Sequence, residues 1–271
     1  MDLDIKHHCT EAAMDTLADL GIIAFPVCLP DLVSRVRHSM GVRVCTYSRL
    51  ALRAGVAPEQ LSLRLNSADA ATLQLSGRTV VAYNDSREIV PGRKRFTLAH
   101  ELGHITLGHF DQEAYYRDQG LLTPPDVQLE MEREADYFAS VFLAPLEVAL
   151  AIIWPYRISV YSLFALLRSA FRLSKEAAYY RSREILGRAS LLLAQPDRAE
   201  NFDSYVNRTR GLYDQHAMDI LTDRYRSEYD QTQTRIWEAR GGKAYLPVRM
   251  LDPMRLQEPL RQLQKLFKYH Q

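Results

Sequence analysis

Hydrophobic and polar positions change their spacing partway along the chain, dividing it into a mixed first third and a helical remainder. From Thr10, TEAAMDTLADLG predicts a capped helix ended by Gly21. IIAFPV predicts a short strand closed by Pro26. LPDLVSRVRHSMG predicts a second helix, with Asp31 placed to cap it and Gly41 to stop it. VRVCTYS has strand composition. ATLQLSGRTVVAYND gives two strand-like runs around a Ser76-Gly77 turn, the pattern of a hairpin.

From Arg93 the pattern turns to helix after helix, beginning with FTLAHELGHITLGH. A loop containing Pro124-Pro125 follows. In VQLEMEREADYFASVFLAP, residues Met131, Ala135, Phe138 and Phe142 recur at three- and four-residue steps and mark an apolar stripe. SVYSLFALLRSAF and SKEAAYYRSREILG predict two further helices meeting at Leu173-Ser174, with Ser174 as the cap. Tyr205 to Trp237 is helical by composition, Gly241-Gly242 breaks it, and PMRLQEPLRQLQKLFKYHQ can form a terminal amphipathic helix. The class is α+β: a small N-terminal mixed sheet with helices, a helical core and a helical C-terminal region.

Composition narrows the function classes. At 271 residues the chain suffices for one large domain or two modest ones. A formal net charge of +1 supplies no global pull towards nucleic acid or anionic lipid, though it leaves room for a local basic patch. Cys9, Cys28 and Cys45 are odd in number and lack C-x-x-C spacing, so buried reduced thiols are expected. The polar MDLDIKHHCTEAAMD is no secretory signal. The longest apolar run, FASVFLAPLEVALAIIW, is interrupted by Pro145 and Glu147. A cytoplasmic, soluble protein with no membrane partner is expected.

The chemistry concentrates in RKRFTLAHELGHITLGHF. On a helix His100 and His104 project from one face, about 40° apart and one turn above the other, so both can reach a single ion. Glu101 lies about 100° round, too far to ligate easily beside them but near enough to touch a water on that ion. H-E-x-x-H on a helix is the zinc-hydrolase pattern for this reason. The alternative is a pair of partnered core histidines. Gly103 allows another element to approach closely, and Leu98, Leu102, Ile105 and Leu107 make the helix a buried one. Two buried imidazoles and a carboxylate need partners, and a metal satisfies both imidazoles at once.

A third ligand is required. His109 lies five residues after His104, not the six of a third-histidine site. EREAD, on the next helix, offers Glu132 and Asp136 four apart on one face, suiting one carboxylate on the metal and one accepting the N–H of a ligating histidine. Glu134 lies about 200° from Glu132 and competes with it for the ligand position. A solvated charged face is the alternative for the whole cluster. Tyr83, Arg95 and His109 are candidates to contact an oxyanion or the substrate. Each also has a plain reading, as strand packing, a surface charge at the helix start, and a partnered histidine in the helix's last turn.

RFTLAHELGHITLGH followed by EREADYFASVFLAP resembles the ImmA/IrrE family of cytoplasmic metallopeptidases, which pair H-E-x-x-H with a downstream E-x-x-A-[ND]-x-F-A segment ending near a proline. The resemblance extends upstream through VVAYND and FPV and covers roughly Thr10 to Leu186. It implies Zn2+ on His100, His104 and Glu132 in a gluzincin-like helical core, Glu101 as general base, and a supporting role for Asp136. It also implies a metallopeptidase domain over 1–190, with 191–271 as a helical extension. The implied partner is a protein substrate, a helix-turn-helix repressor encoded nearby, cut to regulate a mobile element or a stress response. The rival reading is a DNA-binding or metal-binding regulator without proteolytic turnover. For it, SLFALLRSAFRLSKEAAYYRSREI has helix-turn-helix spacing, and Arg168, Arg172, Lys175, Arg181 and Arg183 could touch phosphates. Ala177, Ala178 and Tyr179 leave its second helix short of base-reading side chains, so nucleic acid is not expected as the main ligand.

Overall fold

The computed structural model describes residues 2–65, 69–75, 77–153, 160–193 and 211–239. It is α+β, mostly helical with one three-stranded mixed sheet. The described chain falls into two compact units, one from residues 1–22 and 27–143, the other from 23–26 and 144 onward.

In the first unit, α1 (Leu3–Asp19) starts at Leu3, not Thr10, because the Asp2 carboxylate accepts the Leu3 N–H and caps the helix there. The expected strand at IIAFPV does not form. The segment is irregular, contains a cis Phe25-Pro26 peptide, and uses its apolar residues singly: Ile22 and Val27 are buried. After α2 (Leu29–Ser39), β1 (Arg43–Thr46) ends where Thr46 caps α3 (Tyr47–Ala54), its hydroxyl accepting the Arg49 N–H. The strand reading of VRVCTYS therefore holds only for its first part. α4 (Pro58–Arg64) follows, then β2 (Ala70–Leu75) and β3 (Arg78–Tyr83), the anticipated hairpin, with Gly77 at φ +72° in the turn.

β3 is the central strand, parallel to β1 and antiparallel to β2, with Thr72 opposite Val81 and Leu75 opposite Arg78. Side chains alternate across the sheet. Ala82, with Cys45 beside it, packs on Tyr47, Ala51 and Leu61 of α3 and α4. Val81 and Thr72 belong to the other face, where α5 (Pro91–Thr106) lies. α6 (His109–Asp118) and α7 (Pro125–Leu143) complete the unit, α7 packing on both α5 and α1.

The second unit contains α8 (Leu146–Ile153), α9 (Val160–Ser169), α10 (Lys175–Leu193) and α11 (Gln215–Ala239). Phe25 packs here against Phe171 and Tyr213. Ser174 caps α10 by accepting the Ala177 N–H. Arg181, offered above as a phosphate contact, is buried and donates to the Ala144 carbonyl and to Glu184. Arg168 donates to the Leu173 carbonyl. Arg183 lies over the Tyr179 ring, so at least three of the five cations in the helix-turn-helix reading are engaged within the unit. The glycine break at 241–242 and the terminal amphipathic helix lie outside the described residues.

Among the described residues, the one stretch long and apolar enough to cross a membrane is Pro125–Ile152; 78% of its apolar window is buried in the protein. Helix is interrupted at Ala144 and Pro145, so the run is a pair of core helices. All three cysteines are free, with Cys9 buried, Cys45 half-buried and Cys28 exposed. Burial does not extend to Cys28 as expected, because Cys28 stands just before α2, outside the apolar stripe.

Candidate metal centre

α5 opens on Pro91, whose fixed φ and missing N–H suit a first helical turn. Leu98, Ala99 and Leu102 are fully buried, holding the helix against the sheet and α7. Where α5 and α7 cross there is no room for a side chain. A methyl group at Gly103 would lie 3.1 Å from the Ala135 Cα and 3.1 Å from the Phe138 ring. Glycine here sets the helix separation, and with it the reach from His100 and His104 to the carboxylates of α7.

The two imidazoles turn their Nε2 atoms to one point. These atoms are 3.0 Å apart. From α7, Glu132 brings Oε2 to 3.2 Å from the His100 Nε2 and Oε1 to 3.5 Å from the His104 Nε2. One ligand atom from each of the three residues fits within a 4.8 Å cluster. The histidine side chains are 16% and 14% exposed and that of Glu132 is 59%, so the group is a socket with one open side.

Behind each imidazole stands a further hydrogen-bonding group. The His100 Nδ1 is 2.9 Å from Asp136 Oδ1. The His104 Nδ1 is 2.9 Å from the His109 Nδ1, and the His109 Nε2 is 3.0 Å from Glu134 Oε2. One proton assignment leaves both facing Nε2 lone pairs bare. In it His100 donates from Nδ1 to Asp136, His104 donates from Nδ1 to His109, and His109 donates from Nε2 to Glu134. Glu134, weighed against Glu132 as a ligand, is thereby turned away from the socket and onto His109. His109 itself is not in the last turn of α5. Gly108, at φ +73°, ends that helix, and His109 opens α6, buried at 3% exposure.

Protonation follows these contacts. Burial disfavours a charged His100, but hydrogen bonds to Asp136 and Glu132 outweigh it and lift the pKa to about 9. His104 moves the other way: burial, then the charge of His100, push it down to about 4. The hydrogen bond to His100 holds the Glu132 carboxyl below its usual range. The pair thus holds one positive charge between two Nε2 atoms and a carboxylate. Removing that proton leaves three electron-pair donors converging on one point, a set that fits a divalent cation of the zinc type.

Glu101 points to the sheet side. Thr72 of β2 donates its hydroxyl to Oε2 at 2.6 Å. Burial raises the Glu101 pKa, and the Thr72 hydrogen bond and the charge of His100 only partly counter it. Sequence reading missed Thr72. Its signal was a lone threonine in a strand, which acquires meaning only once the hairpin is packed on α5.

The three candidates for oxyanion or substrate contact separate. Arg95 is 6% exposed, not a surface charge, and donates to the Val27 carbonyl at 3.1 Å. His109 is occupied between His104 and Glu134. Tyr83 is half-buried and by strand alternation shares the face of Val81 and Thr72. Burial, then the charge of Asp85, raises its pKa and keeps its hydroxyl protonated.

Comparison with protein families matches residues 56–183 to the IrrE N-terminal-like domain of the peptidase M78 family. No curated protein and no solved structure matches the chain. The matched segment contains Thr72, the whole histidine–carboxylate group and α5 to α9; the segment from Thr10 to Gly55, also part of the resemblance, lies outside it. Residues 56–183 thus match an IrrE N-terminal-like domain, and over that segment the match supports the resemblance to the ImmA/IrrE family of metallopeptidases.

Proposed function

We propose that the chain is a zinc-dependent, cytoplasmic peptidase acting on one specific protein. The observation that carries the reading is the convergence of the His100 and His104 Nε2 atoms with the Glu132 carboxylate, one residue from the half-buried Glu101. His100, His104 and Glu132 would hold the ion, a gluzincin-like set because the third ligand is a glutamate from a following helix. Zinc bound there supplies Lewis acidity towards water and towards a peptide carbonyl.

The chain's own residues do the rest. Asp136 fixes the tautomer and orientation of His100, and His109 with Glu134 does the same for His104. Glu101 accepts the proton of the attacking water and returns it to the departing amine. Its raised pKa brings it nearer the operating range of a general base, and Thr72 keeps it aimed. β2 is one of the two outer strands of the sheet, a position at which an extended peptide adds through main-chain hydrogen bonds. Tyr83 supplies a neutral hydroxyl on the same face.

The family resemblance points to a helix-turn-helix repressor encoded nearby as the substrate, with its cleavage releasing a mobile element or a stress response. The test is incubation of the zinc-loaded chain with that repressor, beside Glu101→Gln. Cleavage by the wild type, with Glu101→Gln binding zinc equally but cleaving at least about a hundredfold more slowly, supports the proposal. An intact repressor after incubation with fully metallated enzyme removes the substrate assignment. Equal cleavage by both proteins removes the role of Glu101.

A further inference from the structure

The first unit contains a second concavity, of about 850 Å³, on the opposite face of the sheet from Thr72 and Glu101. Five arginines line it: Arg37 at the end of α2, Arg43 on β1, Arg49 and Arg53 one turn apart on α3, and Arg78 on β3. Among the described residues no acidic side chain lines it. The chain as a whole is balanced at +1, so this concentration is local. Arginines in salt bridges among the described residues, such as Arg35 with Asp31 and Arg93 with Asp69, lie elsewhere. Five like charges round one hollow repel each other and oppose folding, and among the described residues no carboxylate lines the hollow to offset them.

The rest of the lining is apolar: Leu50 of α3, Leu75 of β2 and Val80 of β3, the last only 8% exposed. Burial raises the pKa of the half-buried Cys45 thiol of β1, and the charges of Arg53 and Arg49 partly lower it, which places both guanidinium groups near it. Guanidinium groups bind phosphate oxygens in pairs with matched geometry. A hollow of this size, with charged walls and an apolar base, is of the scale of small-molecule sites. Among the described residues it has no aromatic side chain on which exposed bases could stack, which separates it from single-strand nucleic-acid tracks.

We infer that this concavity binds a small molecule bearing an oligophosphate chain, at a site distinct from the histidine–carboxylate socket. The source of the phosphates is either a free inorganic chain or a nucleotide. Calorimetric titration of the full chain at about 0.15 M salt, with tripolyphosphate and separately with a nucleoside triphosphate, distinguishes the two. At least one should bind with a dissociation constant in the micromolar range. Equal affinities mean that only the phosphates are read, and a tighter nucleotide means that the apolar base contributes. The double variant Arg49→Gln/Arg53→Gln should weaken binding about tenfold or more, while Arg117→Gln on α6 should not. Heat from phosphate drawing on bound zinc is common to all three proteins and cancels in the comparison. Both arginines are exposed, so the variant should retain its far-ultraviolet dichroism and urea midpoint. Three results overturn the inference: no binding of either probe below about 1 mM, binding indifferent to the double variant, or a single-stranded oligonucleotide that binds more tightly and displaces the triphosphate.

Discussion

Gly103→Ala separates the spacing of α5 and α7 from the chemistry they carry, because it adds one methyl group and alters no donor atom. The new Cβ would meet backbone, the Ala135 Cα at 3.1 Å and the Ala135 carbonyl oxygen at 3.3 Å, as well as the Phe138 ring at 3.1 Å. Backbone cannot rotate aside as a lysine tip can, so α7 must retreat by a few tenths of an ångström. Overpacking of this kind costs roughly 1–3 kcal/mol. Alanine in a helix interior offsets that by about 0.8–1 kcal/mol relative to glycine. The expected net loss for the zinc-free protein is therefore about 0–2 kcal/mol, read as a lower urea midpoint. The larger effect falls on the metal. The retreat carries Glu132 away from two imidazoles whose Nε2 atoms it meets at 3.2 and 3.5 Å. Zinc affinity, measured by competition with a chromophoric chelator, should drop about tenfold, equivalent to about 1.4 kcal/mol less stabilisation by saturating zinc. If Gly103→Ala gains the full helical benefit and holds zinc within about twofold of wild type, the close crossing does not set the socket.

Three further outcomes follow from the same contacts. Thr72→Val removes the hydroxyl that holds the Glu101 pKa down. Ionised Glu101 would then appear only at higher pH, so the acidic limb of the kcat/KM profile should move to higher pH and the rate should fall about tenfold or more. An unmoved limb would contradict the assignment of Glu101 as base. His109→Ala should weaken zinc binding about 10–100-fold, as Asp136→Asn should, because each leaves one ligating imidazole unoriented. Unchanged affinity in His109→Ala would remove the relay to Glu134. Among the thiols, exposed Cys28 should react at once with a disulfide reagent. Cys9, buried and with its pKa pushed up to about 12 by burial and by the charge of Glu134, should react only on unfolding. Rapid labelling of Cys9 in the native protein would contradict the packing of α1 on α7.

The parts legible in the sequence were those encoded by short-range periodicity. The hairpin around Gly77, the Ser174 cap and the two long helices of the socket all rest on residues within a few positions of each other. The close approach at Gly103 was legible too, since a glycine amid Leu98, Leu102 and Ile105 has no better use in a buried helix. Other features depend on what the fold brings together. IIAFPV reads as a strand by composition, but among the described residues no strand pairs with it; its backbone bonds are single ones, such as the Asp214 N–H donating to the Ile23 carbonyl. α3 was missed because a threonine cap at Thr46 ends a strand and starts a helix without an intervening turn, and α4 because it is only seven residues long and opens without a side-chain cap. Thr72 and the His109–Glu134 pair gain meaning only through partners 25 or 29 residues away. Arg95, a surface charge by local reading, is buried because its partner is a loop carbonyl 68 residues earlier.

The central claim is a metal held by His100, His104 and Glu132. Its most direct measurement is the zinc content of the purified full chain after dialysis against zinc, read by elemental analysis beside His104→Ala, Glu132→Ala and Glu134→Ala. The account predicts one tightly held zinc per chain in the wild type, its loss in the first two variants, and its retention, more weakly bound, in the third. A wild type that emerges without zinc, or a His104→Ala protein that retains it in full, would contradict the account.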